Sequence, residues 1–174
     1  LLGDDVIYNQ GTPALKQLID VHERTRKSVL GVQAVPMEQV VNYGTVSFEK
    51  QLDEKTWEVN GMVEKPSVEE APSNYTIMGR YILDSKIFAD LAEAKINPKI
   101  NEIDMTSGIL AQINKDGVVA HNFEGKRYDM GSRIGYLKAN IEAALRMPDM
   151  KDQIIELIES FEESTREMRI NVKG

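Results

Sequence analysis

Met62-Val63-Glu64-Lys65-Pro66 is the stretch on which the reading of this chain turns. Two apolar residues run into adjacent unlike charges and stop at a proline. Proline cannot donate to a strand ladder and biases the residue before it toward extended backbone. The pattern predicts a strand that ends at Glu64-Lys65, with the two side chains on opposite faces. A carboxylate placed there can accept hydrogen bonds from hydroxyl groups, and an ammonium can serve as a point charge for a phosphate. A solvated charge pair before a turn is written the same way, because charged residues are mostly exposed. The neighbours therefore matter. Tyr43-Gly44 stands upstream at the start of another strand-like run, and Ile77-Met78-Gly79-Arg80-Tyr81 lies downstream in a third. A glycine at a strand start lets backbone come close to a ligand.

Working outward, residues 28–35 (Ser-Val-Leu-Gly-Val-Gln-Ala-Val) form a β-branched, nearly continuous apolar run closed by Pro36, which suits a central strand buried on both faces. Before it, Thr12 as N-cap and Pro13 at the first helical position open a helix with Leu15, Leu18, Ile19 and His22 at helical spacing. His22 reads as the border of that face. After Pro36, a short helical turn is expected over 38–42. Residues 50–60, with the only tryptophan, Trp57, read as an exposed hairpin turning at Asp53-Glu54-Lys55. Residues 75–83 resume as a strand interrupted by Gly79. A helix capped by Asp84 or Ser85 then uses Ile87, Phe88, Leu91 and Ala92, and Asn97-Pro98 breaks it. A further helix uses Ile109, Leu110 and Ile113, and residues 118–123 alternate as a strand. Two last helices are expected from about Ile134 to Leu145 and from Asp149 or Asp152 to about Glu163.

Two glycine-marked stretches carry acidic residues. Leu1-Leu2 reads as the end of a buried strand, and Gly3-Asp4-Asp5 then places two carboxylates where open α/β sheets hold ligands. Such a carboxylate can bind Mg²⁺, although Gly-Asp is also ordinary turn or cap chemistry. Gly125-Lys126-Arg127-Tyr128-Asp129-Met130-Gly131 is the second candidate.

Composition narrows the classes. The chain has 174 residues, 41% hydrophobic and 28% charged, which fits one soluble globular domain with a real core. A net charge of -7 without a basic cluster argues against nucleic acid or an anionic membrane as partner. The absence of cysteine removes disulfides, thiolate nucleophiles and Cys-based zinc sites, and leads us to expect a cytoplasmic protein. No apolar run approaches the roughly 20 residues that span a bilayer.

Taken in order, Leu2-Gly3-Asp4-Asp5, Tyr43-Gly44, Val63-Glu64-Lys65-Pro66, Gly79-Arg80-Tyr81 and the 125–131 stretch resemble the bacterial UTP:glucose-1-phosphate uridylyltransferases, or UDP-glucose pyrophosphorylases. Glu69-Glu70-Ala71-Pro72-Ser73-Asn74 and Gly135-Tyr136-Leu137-Lys138-Ala139-Asn140 are similar to that family in detail, and the likeness runs from residue 1 to about 145. The resemblance implies an α/β fold, a layered mixed sheet flanked by helices of the Rossmann-like nucleotide-diphospho-sugar transferase type. It implies sugar-1-phosphate nucleotidyl transfer, from UTP and glucose 1-phosphate to UDP-glucose and pyrophosphate, assisted by Mg²⁺. It also assigns roles. Asp4 matches a metal-binding aspartate, Glu64 the residue that holds sugar hydroxyls, and Lys65 the one that neutralises the sugar phosphate. Tyr43, Gly44, Ile77 and Tyr81 match the lining of the sugar pocket.

Two departures follow from the same comparison. The family's glycine-rich nucleotide loop has no counterpart here, so the reading expects an N-terminal nucleotide-binding part outside this sequence and no transfer by these residues alone. After Glu102-Ile103, relatives carry Thr-Asp where this chain has Thr106-Ser107, which leaves Asp104 or Asp129 to supply the charge, with Asp129 the second metal candidate. Residues 1–145 are expected to be the sugar-phosphate part of the transferase domain and 146–174 a helical segment. Ile154, Ile155, Leu157, Ile158 and Phe161 on that segment suggest a homo-oligomer. The competing reading is a non-catalytic sugar-phosphate-binding or oligomerising fragment, or a regulatory homologue.

Overall fold

A computed structural model describes residues 1–96 and 101–171, with side chains through 162. Its strands are β1 (Asp5–Tyr8), β2 (Ser28–Ala34), β3 (Gly44–Asp53), β4 (Thr56–Glu64), β5 (Tyr75–Ile82), β6 (Val118–Asn122) and β7 (Lys126–Asp129). Its helices are α1 (Ala14–Thr25), α2 (Ile87–Glu93), α3 (Met105–Lys115), α4 (Arg133–Ala144) and α5 (Lys151–Asn171), with a 3₁₀ turn over Met37–Asn42.

The apolar 28–35 run does become a strand covered on both faces. Its alternation sends Leu30 and Val32 into a cluster with Val46, Ile77, Ile87 and Ile109, and Val29 into a second cluster with Leu18, Val21 and Met78. Helices α2 and α3 thus cover one side and α1 the other, which is what a run without polar alternation requires. The mixed sheet expected from sequence is present. β2 pairs antiparallel with β5 and parallel with β6, and β3 and β4 form the hairpin turning at Glu54-Lys55. Because β6 also pairs with β4, and β3 with β5, the five strands close in the order β2-β5-β3-β4-β6. β1 and β7 make a separate two-stranded sheet. Gly79 adopts φ 61 within β5, and the β2–β5 register shifts between Leu30 and Val32. There, a Cβ on Gly31 would meet the Arg80 carbonyl oxygen at 3.1 Å.

Several local expectations shift. Leu1-Leu2 is not a strand. One bond, from the Leu2 N–H to the Gly79 carbonyl oxygen at 2.9 Å, does not make a ladder, and the leucines are 71% and 46% exposed. Asp4 sits in the turn that follows, and the strand begins only at Asp5. Helix α1 starts one residue later than expected, with Pro13 in the cap position and no side-chain cap. The Thr12 carbonyl oxygen instead accepts from Gln17 Nε2 at 2.8 Å, and the buried face is Ala14, Leu18 and Val21. At the end of the helix, His22 Nδ1 lies 2.8 Å from the Lys27 carbonyl oxygen.

Helix α2 has Lys86 at its cap, since Asp84 Oδ1 is occupied by the Lys86 N–H at 2.9 Å. It buries Ile87 and Asp90 while Phe88 is 75% exposed, so its face is turned from the one expected. Trp57 is half-buried, in a triad with Phe48 and Tyr75 whose ring centroids lie 5.2–5.4 Å apart. α5 continues to Asn171, past the expected stop near Glu163. The break at Asn97-Pro98 lies outside the described residues.

The chain divides into two units. The first contains Leu1–Gly3 and Ile7–Lys126, and the second Asp4–Val6 with the chain from Arg127 onward.

Candidate functional site

In the first unit the ends of β3 and β4 bring the candidate sugar-phosphate residues together. Gly44, the first residue of β3, is in register with Glu64, the last of β4. One residue further out, the Lys65 N–H donates to the Tyr43 carbonyl oxygen at 3.1 Å. The Glu64 carboxylate lies over the glycine, because a Cβ on Gly44 would stand 2.8 Å from Glu64 Oε2 and 3.5 Å from Ile77 Cδ1. Gly44, Glu64 and Ile77 therefore share one spot, with an exposed carboxylate above a floor that has no side chain. Ile77 is buried in the core and Tyr81 packs against the same cluster from further along β5, opposite Leu30.

Lys65 departs from the expectation. It is not the next strand residue on the opposite face but lies just past the strand, with φ 46. A non-glycine residue in the left-handed region costs about 1–2 kcal/mol. The bond to Tyr43 and the turn into Pro66 hold it there. Strain of this kind persists where the surroundings over-determine it, and it concentrates at ligand-handling sites.

The second unit holds the two acidic candidates. Asp4 precedes β1 and Asp129 ends β7, and the Met130 N–H ties them by donating to the Asp4 carbonyl oxygen at 2.7 Å. Gly131 lies between their carboxylates. A Cβ there would stand 3.1 Å from Asp4 Oδ2 and 3.2 Å from Asp129 Oδ1. Both groups thus face one point, and the Gly131 N–H donates to Asp129 Oδ1 at 3.0 Å. Two hard oxygen donors fit Mg²⁺, which takes one or two carboxylates and completes its shell with water and phosphate oxygens. No group of three His, Cys, Asp or Glu side chains gathers among the described residues.

Sequence treats Asp4-Asp5 as a pair, but the structure separates them. Asp5 is 7% exposed and ion-paired with Arg127 Nε. Asp104, the alternative source of charge, is committed elsewhere. Its Oδ1 caps α3, accepting from the Ser107 N–H at 2.8 Å and the Ser107 hydroxyl at 2.7 Å. Sequence also overlooks a mostly apolar depression of about 430 Å³ beside Gly131, lined by Ser132, Arg133, Tyr136 and Leu137. The signal was present in the one-turn spacing from Arg133 to Tyr136 and Leu137, which places them on one helix face.

The model of the nucleotidyl transferase family matches residues 1–145. A UTP--glucose-1-phosphate uridylyltransferase of Staphylococcus haemolyticus is 44% identical over 162 residues, covering 92% of this chain and 55% of that protein. The corresponding Staphylococcus saprophyticus protein, numbered 1, is 44% identical over 161 residues with the same coverages. Among solved structures, a UDP-glucose pyrophosphorylase complexed with UDP-glucose superposes with a TM-score of 0.79 at 37% identity, over 84% of this chain and 55% of that one. A UTP-bound UGPase from Acinetobacter baumannii gives 0.80 at 32% identity, over 91% of this chain and 54% of that one. The chain spans about half the length of the relatives it matches.

Proposed function

Because the chain belongs to the nucleotidyl transferase family, we propose that it is the sugar-phosphate-handling part of an enzyme that makes UDP-glucose and pyrophosphate from UTP and glucose 1-phosphate. The observation that carries this reading is the Glu64 carboxylate lying over side-chain-free Gly44, next to a lysine held at φ 46. Glu64 accepts hydrogen bonds from sugar hydroxyls, and the Lys65 ammonium neutralises the sugar phosphate. Tyr43, Gly44, Ile77 and Tyr81 shape the pocket. In the reaction a phosphate oxygen of glucose 1-phosphate forms the new bond to the α-phosphorus of UTP, and the bond from that phosphorus to the bridging oxygen of pyrophosphate breaks. Such transfers depend on positioning and charge stabilisation, which fixed acceptors and cations supply. Asp4 and Asp129 would hold Mg²⁺, which when bound adds positive charge against the phosphates.

The test is pyrophosphate release by the whole protein that carries this chain. Turnover with UTP and glucose 1-phosphate is expected, and turnover with dTTP or ATP but none with UTP would assign a sister activity. Gly44→Ala probes the sugar half separately. A Cβ 2.8 Å from Glu64 Oε2 must push the carboxylate aside, yet the obstacle is the end of a flexible side chain. We expect KM for glucose 1-phosphate to rise about tenfold, the loss of roughly one hydrogen bond to a charged group, with little change in melting temperature.

Residues 1–145 are the transferase part, and the segment after them, which contains α5, is the one through which copies of the protein associate. Ile155, Leu157, Ile158 and Phe161 of α5 are 37–61% exposed, an apolar face that a second copy would cover. Sedimentation of the whole protein at monomer mass would exclude this. A cytoplasmic location fits a chain without cysteine in which no described helix is long and apolar enough to cross a membrane.

A further inference from the structure

We propose that Met62 is a positioning residue for the Glu64 carboxylate, which its terminal methyl, together with that of Ile77, seats over Gly44. The proposal rests on the reading of Glu64 as the acceptor of sugar hydroxyls. Strand alternation puts Met62, two residues before Glu64, on the same face of β4. The neighbouring strand β3 answers both, with Val46 opposite Met62 and Gly44 opposite Glu64. Up to this point the face is apolar, since Val46, Met62 and Ile77 belong to one core cluster and are at most 8% exposed. It ends at Gly44, where no side chain stands. Three groups converge on the space that a Cβ would take there, Glu64 Oε2 at 2.8 Å, Ile77 Cδ1 at 3.5 Å and Met62 Cε at 3.7 Å.

A glutamate at a strand end is a flexible side chain, and ordering it for a ligand costs conformational entropy. The recess lowers that cost. The glycine gives the carboxylate room, and the two methyls fill the space on its core side, so the carboxylate cannot sink inward. Methyl groups donate no hydrogen bond, which keeps the acceptor capacity of Glu64 for the open side, where a sugar hydroxyl would arrive. Methionine suits the task because its unbranched chain reaches one atom further than leucine. Glu64 would be the group that touches the sugar, and Met62 acts through it, as packing that fixes the arrangement of a binding side chain.

The experiment is steady-state kinetics of the whole protein, with UTP and glucose 1-phosphate varied in turn, alongside thermal unfolding. Met62→Leu keeps the volume of the core but draws the last methyl back by one atom, so the melting temperature should fall by no more than about 6 °C. KM for glucose 1-phosphate should rise about three- to tenfold, a larger change than in kcat or in KM for UTP. Equal changes in all three, the mark of a general loss of packing, would overturn the proposal. The double variant Met62→Leu/Glu64→Ala tests the route. If Met62 acts through Glu64, adding Met62→Leu to Glu64→Ala should change KM for glucose 1-phosphate by less than about twofold. An undiminished rise in that background would overturn the proposal, as would an unchanged KM in Met62→Leu alone, and both would leave the reading of Glu64 intact. Glu64→Ala without effect on KM, or no turnover by the whole protein, would remove that reading and this proposal with it. If Met62→Leu does not fold, Met62→Ile, which falls short of the same point by one atom, is judged by the same outcomes.

Discussion

Lys65→Gly is expected to lower kcat/KM for the proposed transfer by the whole protein about 10- to 150-fold while leaving its melting temperature unchanged or slightly higher. The two effects come from different parts of the residue. In the proposed site the ammonium would make a charge-assisted contact to the sugar phosphate worth about 1.5–3 kcal/mol, and its removal would give the stated loss in rate. The backbone sits at φ 46, where glycine carries no penalty, and the side chain is exposed, so little folding energy depends on it. Lys65→Ala should lose the same activity without the backbone relief, so it should be the less stable of the two. Steady-state kinetics with varied glucose 1-phosphate, paired with thermal unfolding, checks both. Full activity in either variant would remove Lys65 from the site.

Gly135→Ala should be the most damaging glycine substitution in the second unit. The new Cβ would fall 1.8 Å from the Asp129 carbonyl oxygen and 2.6 Å from Ser132 Oγ, the atom that caps α4. A backbone carbonyl cannot swing aside as a long side chain does, so either the start of α4 or the end of β7 must move. Overpacking of this kind costs about 1–3 kcal/mol, roughly 2–12 °C for a domain of 150–250 residues. Asp129 is displaced with its own carbonyl, so if it holds a cation as proposed, Mn²⁺ affinity and turnover should fall together. Gly3→Ala is the control. It also adjoins a candidate ligand, but its Cβ would meet nothing within 4 Å, and stability should stay within about 0.5 kcal/mol. Equal effects from the two substitutions would exclude the close approach as the cause.

Where the sequence carries strong periodicity it is a good guide. The 28–35 run and the hairpin turn at Glu54-Lys55 appear where composition and turn chemistry put them, whereas Gly79 does not interrupt its strand but is carried within β5 at φ 61. Short elements are harder. A seven-residue helix cannot fix its own phase, and α2 turns Asp90 inward to Lys115 Nζ at 2.6 Å while Phe88 points out. The gathering of Gly44, Glu64 and Ile77 is legible as motif order, but the conformation of Lys65 is not. Strand alternation and the residue-before-proline rule both point to extended backbone, and a tertiary hydrogen bond to Tyr43 overrides them. Sequence offers Asp104 and Asp129 equally as sources of charge. The spacing Asp104-x-x-Ser107 is that of a cap, and its geometry removes Asp104 from the choice. That Asp5 differs from its neighbour Asp4 follows from its ion pair with Arg127, more than 120 residues away, which local reading cannot supply.

The closing of the five-strand ring has a consequence for the newly made chain. β2, β5, β3 and β4 can pair in that order as soon as residue 82 has been made, but the row they form has two unpaired borders, one along β2 and one along β4. β6 is the clasp that covers both, pairing Val119 with Val29 on one side and with Glu58 on the other. Until residues 118–122 leave the ribosome, this row offers exposed backbone donors and acceptors on each flank, and for that interval the protein depends on dilution or a chaperone to avoid sticking to its copies. Once Val118, Val119 and Ala120 are seated, at no more than 1% exposure, β6 covers β2 over Ser28–Val32 and β4 over Thr56–Val59.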